Sequence, residues 1–238
     1  MIDVFGSYCG TAPTAATWFG RWNGDPPLLI ALLLGGGAML ALPARRRVAG
    51  LTATAVLALA FVSPLCALSV ALFSARTLHH LLLIGVAAPL LAVAWPSRMP
   101  LSPPAALAVA TVVLWAWHVP AAYDAALANR LVYWIMQASL LGSAWAYWDA
   151  VRRAEPPPAL AAVAAGAAQM GLLGAILTFV ARPLYATHLS STAAFGIGPL
   201  ADQQIAGLAM WVAGLIPYAV VGAMIARATW RRMATAGC

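Results

Sequence analysis

From residue 27 to residue 226 the chain is a succession of long apolar runs, most of them parted by gaps of only a few residues. About 20 helical residues cross ~30 Å of hydrocarbon, and in lipid a helix satisfies all of its own backbone polar groups. The runs fall at 27–44, 48–67, 75–95, 103–119, 130–149, 157–181 and 201–226. As one helix, Val48 to Trp95 would extend ~72 Å at ~1.5 Å per residue, so it is divided. Ser63-Pro64 and Arg76 mark the division, because Pro disfavours helix in the residue before it. Pro26-Pro27, Pro103-Pro104 and Pro156 to Pro158 stand where helices begin, the position that Pro tolerates best. The expectation is an all-α polytopic membrane protein: a bundle of seven transmembrane helices forming a single domain over residues 1–238. Residues 1–26 have no basic and apolar leader pattern and read as a short outer tail. With 63% hydrophobic and 8% charged residues and mean hydropathy +0.87, a water-soluble globular domain is excluded.

All thirteen bases are Arg. Lysine Schiff-base chemistry and a P-loop are therefore excluded. The net charge of +7 resembles a nucleic-acid signal, but the arginines sit between apolar runs, where they report orientation. Seven crossings put nine of them on the C-terminal side (Arg45, Arg46, Arg47, Arg98, Arg152, Arg153, Arg227, Arg231, Arg232) and four on the other (Arg21, Arg76, Arg130, Arg182). The C-terminus is thereby expected in the cytoplasm and the N-terminus outside. No internal repeat supports a transporter of duplicated halves. No hydrolytic triad, acid pair or nucleotide loop is visible, so the reading is not an enzyme.

With that orientation the soft and titratable groups collect in the outer half. His79 and His80 open the third span, His118 ends the fourth, and His188 lies in the loop before the seventh. Cys66 ends the second span, and Asp124 and Asp202 lie on the same side. Imidazole with thiolate suits Cu(I), and by ligand type zinc equally. The candidate metal set is Cys66, His79, His80, His118 and His188; Arg76, Tyr123, Asp124, Asp202 and Gln203 complete a polar outer cluster. Adjacent His79 and His80 point about 100° apart, so one of them is expected to face the interior. Cys9, Cys66 and Cys238 are odd in number and far apart, and no disulfide framework is expected. The bland alternatives are an interhelical hydrogen bond for each His, a cap on its own helix for Asp202, and an ion pair of Arg76 with Asp202 or Asp124. Gln137 and Gln169 read as interhelical glue. In the seventh span Gln203, Gly207, Met210 and Gly214 share one face built for close helix contact.

Several segments resemble the CtaG-type assembly factors of cytochrome c oxidase, named for the caa3-type enzyme. They are Ser63-Pro64-Leu65-Cys66, Phe73-Ser74-Ala75-Arg76 with His79-His80, Trp117-His118-Val119-Pro120 through Tyr123-Asp124, and Pro199-Leu200-Ala201-Asp202-Gln203-Gln204. The chain departs from the common pattern at Arg76, His79 and Gln137, and Cys66 stands where Asp is frequent. The resemblance implies a multi-pass protein of the bacterial inner (plasma) membrane serving the respiratory chain. It would act as a chaperone that delivers or inserts copper at a CuA or CuB centre. An oxidase subunit and a periplasmic copper chaperone are its implied partners, along with the bilayer and no nucleic acid. A copper-independent scaffold is the alternative, and a small-solute or copper transporter a third.

Overall fold

The computed structural model describes residues 7–97 and 100–236, so Arg98 and Cys238 lie outside the described residues. It is all-α, 80% helical, with no strand among the described residues. The helices are α1 (Pro26–Leu40), α2 (Ala44–Phe61), α3 (Leu65–Ala71), α4 (Phe73–Leu81), α5 (Ala88–Ala94), α6 (Pro103–His118), α7 (Pro120–Ala128), α8 (Arg130–Arg153), α9 (Pro156–Phe179), α10 (Pro199–Val212) and α11 (Ile216–Ala236).

Helix occupies every one of the seven expected segments, but the number of crossings is not seven on length and composition. Three rods qualify: Phe73–Ala94, Pro156–Phe179 and Pro199–Thr235. The count reaches five if α2 with α3, and α6 with α7, each make one bent span. At 15 residues α1 is short. The 24 residues of α8 are long enough, but Tyr133, Trp134, Gln137, Trp145, Tyr147 and Trp148 dilute its apolar character.

Proline explains the breaks. Val119, ahead of Pro120, is extended, and α7 leaves α6 at 75°. Pro64 turns α3 by 45° from α2. Pro89 has no N–H, and the rod between α4 and α5 widens into a π-helical stretch, Leu82–Ala87. The Ile84 carbonyl, five residues before Pro89, instead accepts from the Trp148 indole at 2.7 Å. Pro217 follows a 3₁₀ turn at Ala213–Leu215 that joins α10 to α11.

Tight packing of α9 on α10 rests on two glycines. A Cβ on Gly207 would stand 2.6 Å from the Gly174 carbonyl oxygen, and one on Gly174 would stand 2.8 Å from the Gly207 oxygen. Gln203, Gly207, Met210 and Gly214 are all buried, so the expected contact face of the seventh segment is the observed one.

The bundle has two unlike ends. One holds the tail from Ser7, the α3–α4 junction, α7 and the 180–198 loop, joined by the Cys9–Cys66 disulfide and by hydrogen bonds from Thr187 to Asp124 and Ser191 to Ala71. At the other, Met39, Ala49 and Ala94 pack together and Trp145 donates to the Trp95 carbonyl at 2.9 Å. Arg45, Arg46, Arg47, Arg152 and Arg153 flank that second end.

Candidate functional site

At the tail end, every residue of the expected polar cluster has a defined place. Leu72 is extended between α3 and α4, so the first amides of α4 need acceptors. Asp202 supplies them from α10. Its carboxylate accepts from the Phe73 amide at 2.6 Å, the Ser74 amide at 3.2 Å and the Ser74 hydroxyl. The expectation that Asp202 caps its own helix is therefore corrected: it caps a helix 129 residues away. A carboxylate at a helix N-terminus gains both the hydrogen bonds and the helix dipole. Gln203 clamps the loop after α9, accepting from the Leu184 amide at 2.7 Å and donating to the Leu177 and Arg182 carbonyls at 3.3 Å.

Asp124 likewise serves the 180–198 loop, accepting from the Thr187 hydroxyl at 2.6 Å and the Thr187 amide at 3.3 Å. The Tyr123 hydroxyl and His188 Nε2 share a 2.7 Å hydrogen bond. His188 is buried, and that burial, with the Arg76 charge nearby, pushes its imidazole down to about 4. His118 shares a 2.7 Å hydrogen bond between Nδ1 and the Leu114 carbonyl, and its own carbonyl accepts from Tyr185.

Three further expectations are corrected here. Cys66 forms a disulfide with Cys9, their Cα atoms 5.3 Å apart, so its sulfur is not a free thiolate. The tail folds back over the bundle and brings the two together, a proximity that separation in sequence concealed. His79 and His80 are both buried, at 0% and 5% exposure, rather than one facing outward. Neighbouring elements surround α4 on nearly all sides, and Leu78, 48% exposed, is its outward residue. Arg76 pairs with neither Asp202 nor Asp124, because both carboxylates are turned to backbone and hydroxyl donors. No ion pair of Arg76 forms among the described residues.

Arg76 is fully buried, 5.3 Å from the centroid of the Tyr133 ring. The Tyr123 and Tyr133 hydroxyls stand near enough to feel its charge, yet none of its three nitrogens is in hydrogen-bond geometry with a partner. Around it, both ring nitrogens of His79, Nε2 of His80, the Thr77 hydroxyl and both amide atoms of Gln137 are also without partners. Gln169 meets the expectation of interhelical glue, accepting from the Trp115 indole at 3.2 Å; Gln137 does not. Among the described residues no three of His, Cys, Asp and Glu form a group able to hold a metal ion. The tail end is thus a set of long-range structural crosslinks surrounding an electropositive, incompletely bonded centre.

A sequence profile for "Cytochrome c oxidase caa3 assembly factor" matches residues 97–232, more than half of the chain. The chain belongs to this family. No curated protein and no solved structure matches it. The assembly-factor match covers α6 to α11 and hence His118, Tyr123, Asp124, His188, Asp202 and Gln203. Cys66, Arg76, His79 and His80 precede it. Family membership points to association with cytochrome c oxidase and to a non-catalytic role, and the apolar helices are those of a membrane protein.

Several participants escaped sequence reasoning. Asp25 accepts from Tyr8 at 2.7 Å and from Arg130 at 3.0 Å. Asn23 donates to the Phe61 carbonyl at 3.1 Å, and Ser191 to the Ala71 carbonyl at 2.6 Å. The available signal was the cluster of polar residues and Cys9 in an otherwise featureless tail.

Proposed function

We propose that this assembly factor works in the bacterial inner membrane as a scaffold that grips an oxidase subunit through its tail end. The chain acts as one membrane unit crossing seven times, with α1 and α8 included, the tail end in the periplasm and the arginine-flanked end in the cytoplasm. Nine arginines against four support that orientation. The observation that carries the scaffold reading is the employment of the conspicuous polar residues. Cys66, Asp124, His188, Asp202 and Gln203 all bond to distant parts of the chain and brace the tail end from within. The test is purification of the full-length protein from native membranes with and without copper chelation. An oxidase subunit is expected to co-purify equally in both, and its loss on chelation would reject a copper-independent grip.

Copper handling is a second reading, favoured by the unpartnered ring nitrogens of His79 and His80, whose rings are 5.6 Å apart. In it a dithiol reductant gives two electrons and two protons to the Cys9–Cys66 disulfide, leaving two thiols and an oxidised reductant. Cu(I) is then cargo, drawn from a periplasmic chaperone by some of Cys66, His79, His80, His118 and His188. The reduced protein is expected to bind about one Cu(I), lost in a Cys66→Ser, His80→Ala double variant that stays folded. Stoichiometric copper in that variant would reject this reading.

A further inference from the structure

We propose that Arg76 is the centre of an enclosed site for a small monovalent anion, a halide or a simple carboxylate, held at the tail end between α4, α7 and α8. The argument is one of charge. An arginine cannot shed its proton inside a protein, and an isolated buried charge is costly unless it is paired. The chain pairs a buried charge elsewhere: Asp149 is held by Arg152 and Arg153 at 2.8 and 2.9 Å. Arg76, with zero exposure, makes no ion pair among the described residues: Asp124 and Asp202, which act on the same Tyr123 and His188 side chains, are bonded to neutral donors instead. No ion pair among the described residues supplies its counter-charge, and the Tyr133 ring 5.3 Å away offers a cation–π contact alone; a guest anion would supply what is missing.

The surroundings select the sign of that guest. Thr77 and Gln137 offer a hydroxyl and an amide with no partner, and the Tyr123 and Tyr133 hydroxyls face the same guanidinium. Of these, the Gln137 Nε2 amide and the hydroxyls can donate to a guest, and the Asp124 and Asp202 carboxylates are engaged by backbone and hydroxyl donors. A cation would meet repulsion here, whereas an anion meets a charge-assisted donor set. A single guanidinium balances a single negative charge. Water alone could fill the hydrogen bonds but would leave the charge uncompensated. The site depends on neither reading of the protein's role.

The experiment is a chloride titration of the full-length protein in detergent and gluconate buffer, followed by the ³⁵Cl NMR line width. Saturable broadening is expected, and formate is expected to compete with it. Competition assigns a site open to carboxylates and its absence a halide site, and either supports an anion. Arg76→Gln should weaken chloride at least about tenfold, the worth of a charged hydrogen bond, while exposed Arg182→Gln should leave it unchanged. No saturable broadening in the native protein, or unchanged binding in Arg76→Gln, overturns the proposal. Should circular dichroism show Arg76→Gln unfolded, Gln137→Leu takes its place: a weakened titration supports the site, and an unchanged one puts the ion elsewhere and overturns it.

Discussion

The tail end and the arginine-flanked end of the bundle are held together by different physics. At the tail end the ties are polar and long in sequence: Asp202 to Phe73, Asp124 to Thr187, Tyr123 to His188, Cys9 to Cys66. At the other end the ion pairs are local, Asp149 with Arg152 and Arg153 at three and four residues. There the helices meet through indole and phenol donors to backbone carbonyls, Trp145 to Trp95, Trp148 to Ile84 and Tyr147 to Ala162. Proline and short helices break the backbone at the tail end, so its amides and carbonyls need partners from elsewhere. At the opposite end the carbonyls near a break, Ile84 before Pro89 and Trp95 after α5, are met by indole donors instead. A polar residue near a helix break is therefore first a substitute for missing backbone bonds.

The sharpest way to break this contrast is Asp202→Ala. It strands the Phe73 and Ser74 amides beside a removed charge, and a loss of about 3–5 kcal/mol is expected in detergent unfolding. Asp202→Asn keeps one acceptor oxygen and should lose roughly half as much on the same energetic grounds. A loss below ~1 kcal/mol in Asp202→Ala would show that the cap is not a structural tie. Next in size is the disulfide, which closes a loop across 57 residues. Chain entropy assigns such a loop about 4 kcal/mol, less where helices persist in the unfolded state. Cys9→Ser and dithiothreitol should lower the unfolding midpoint equally and not additively; additive shifts would place the reductant's effect elsewhere.

His188 tests the burial of the same end through pH. Its folded value of about 4 lies below the ordinary value of 6.5, so on acidification the unfolded chain takes the proton first. Its contribution is complete above pH 6.5 and is lost as pH falls towards 4, about 3 kcal/mol in all. The groups facing it are Tyr123, Arg76, Asp124 and Asp202. Carboxylates titrate in that window too, so the measurement is the difference between native protein and His188→Gln. The variant's stability should fall less steeply, and parallel curves would mean that His188 is solvated.

What was legible in the sequence divides along the same line. Hydropathy located helix in all seven segments, and the spacing of Gln203, Gly207, Met210 and Gly214 gave a contact face that Gly174 meets across the interface. Such patterns are periodic and local. The Asp202 cap and the Cys9–Cys66 bond depend on which distant segments the chain brings together, and no spacing encodes that. Helix geometry alone turns one of His79 and His80 outward, because it takes no account of how many neighbours surround a helix. Gly207→Ala probes the legible part. Its methyl would crowd the Gly174 carbonyl and Thr178, and overpacking of that kind costs about 1–3 kcal/mol. A neutral result would mean that α9 and α10 separate more freely than their packing implies.

The smallest expected effect lies in the one tie at the tail end that resembles those of the other end. Arg130 meets Asp25 at 3.0 Å, but its side chain is 61% exposed, and water screens an ion pair of that kind. Asp25 keeps its hydrogen bond from Tyr8 when Arg130 is removed. Arg130→Gln should therefore change stability by less than about 1 kcal/mol, with the difference shrinking further at high salt. A larger loss that shrinks at high salt would mean that the tail is fastened by charge at its surface, and that the disulfide and the Asp202 cap are secondary to it.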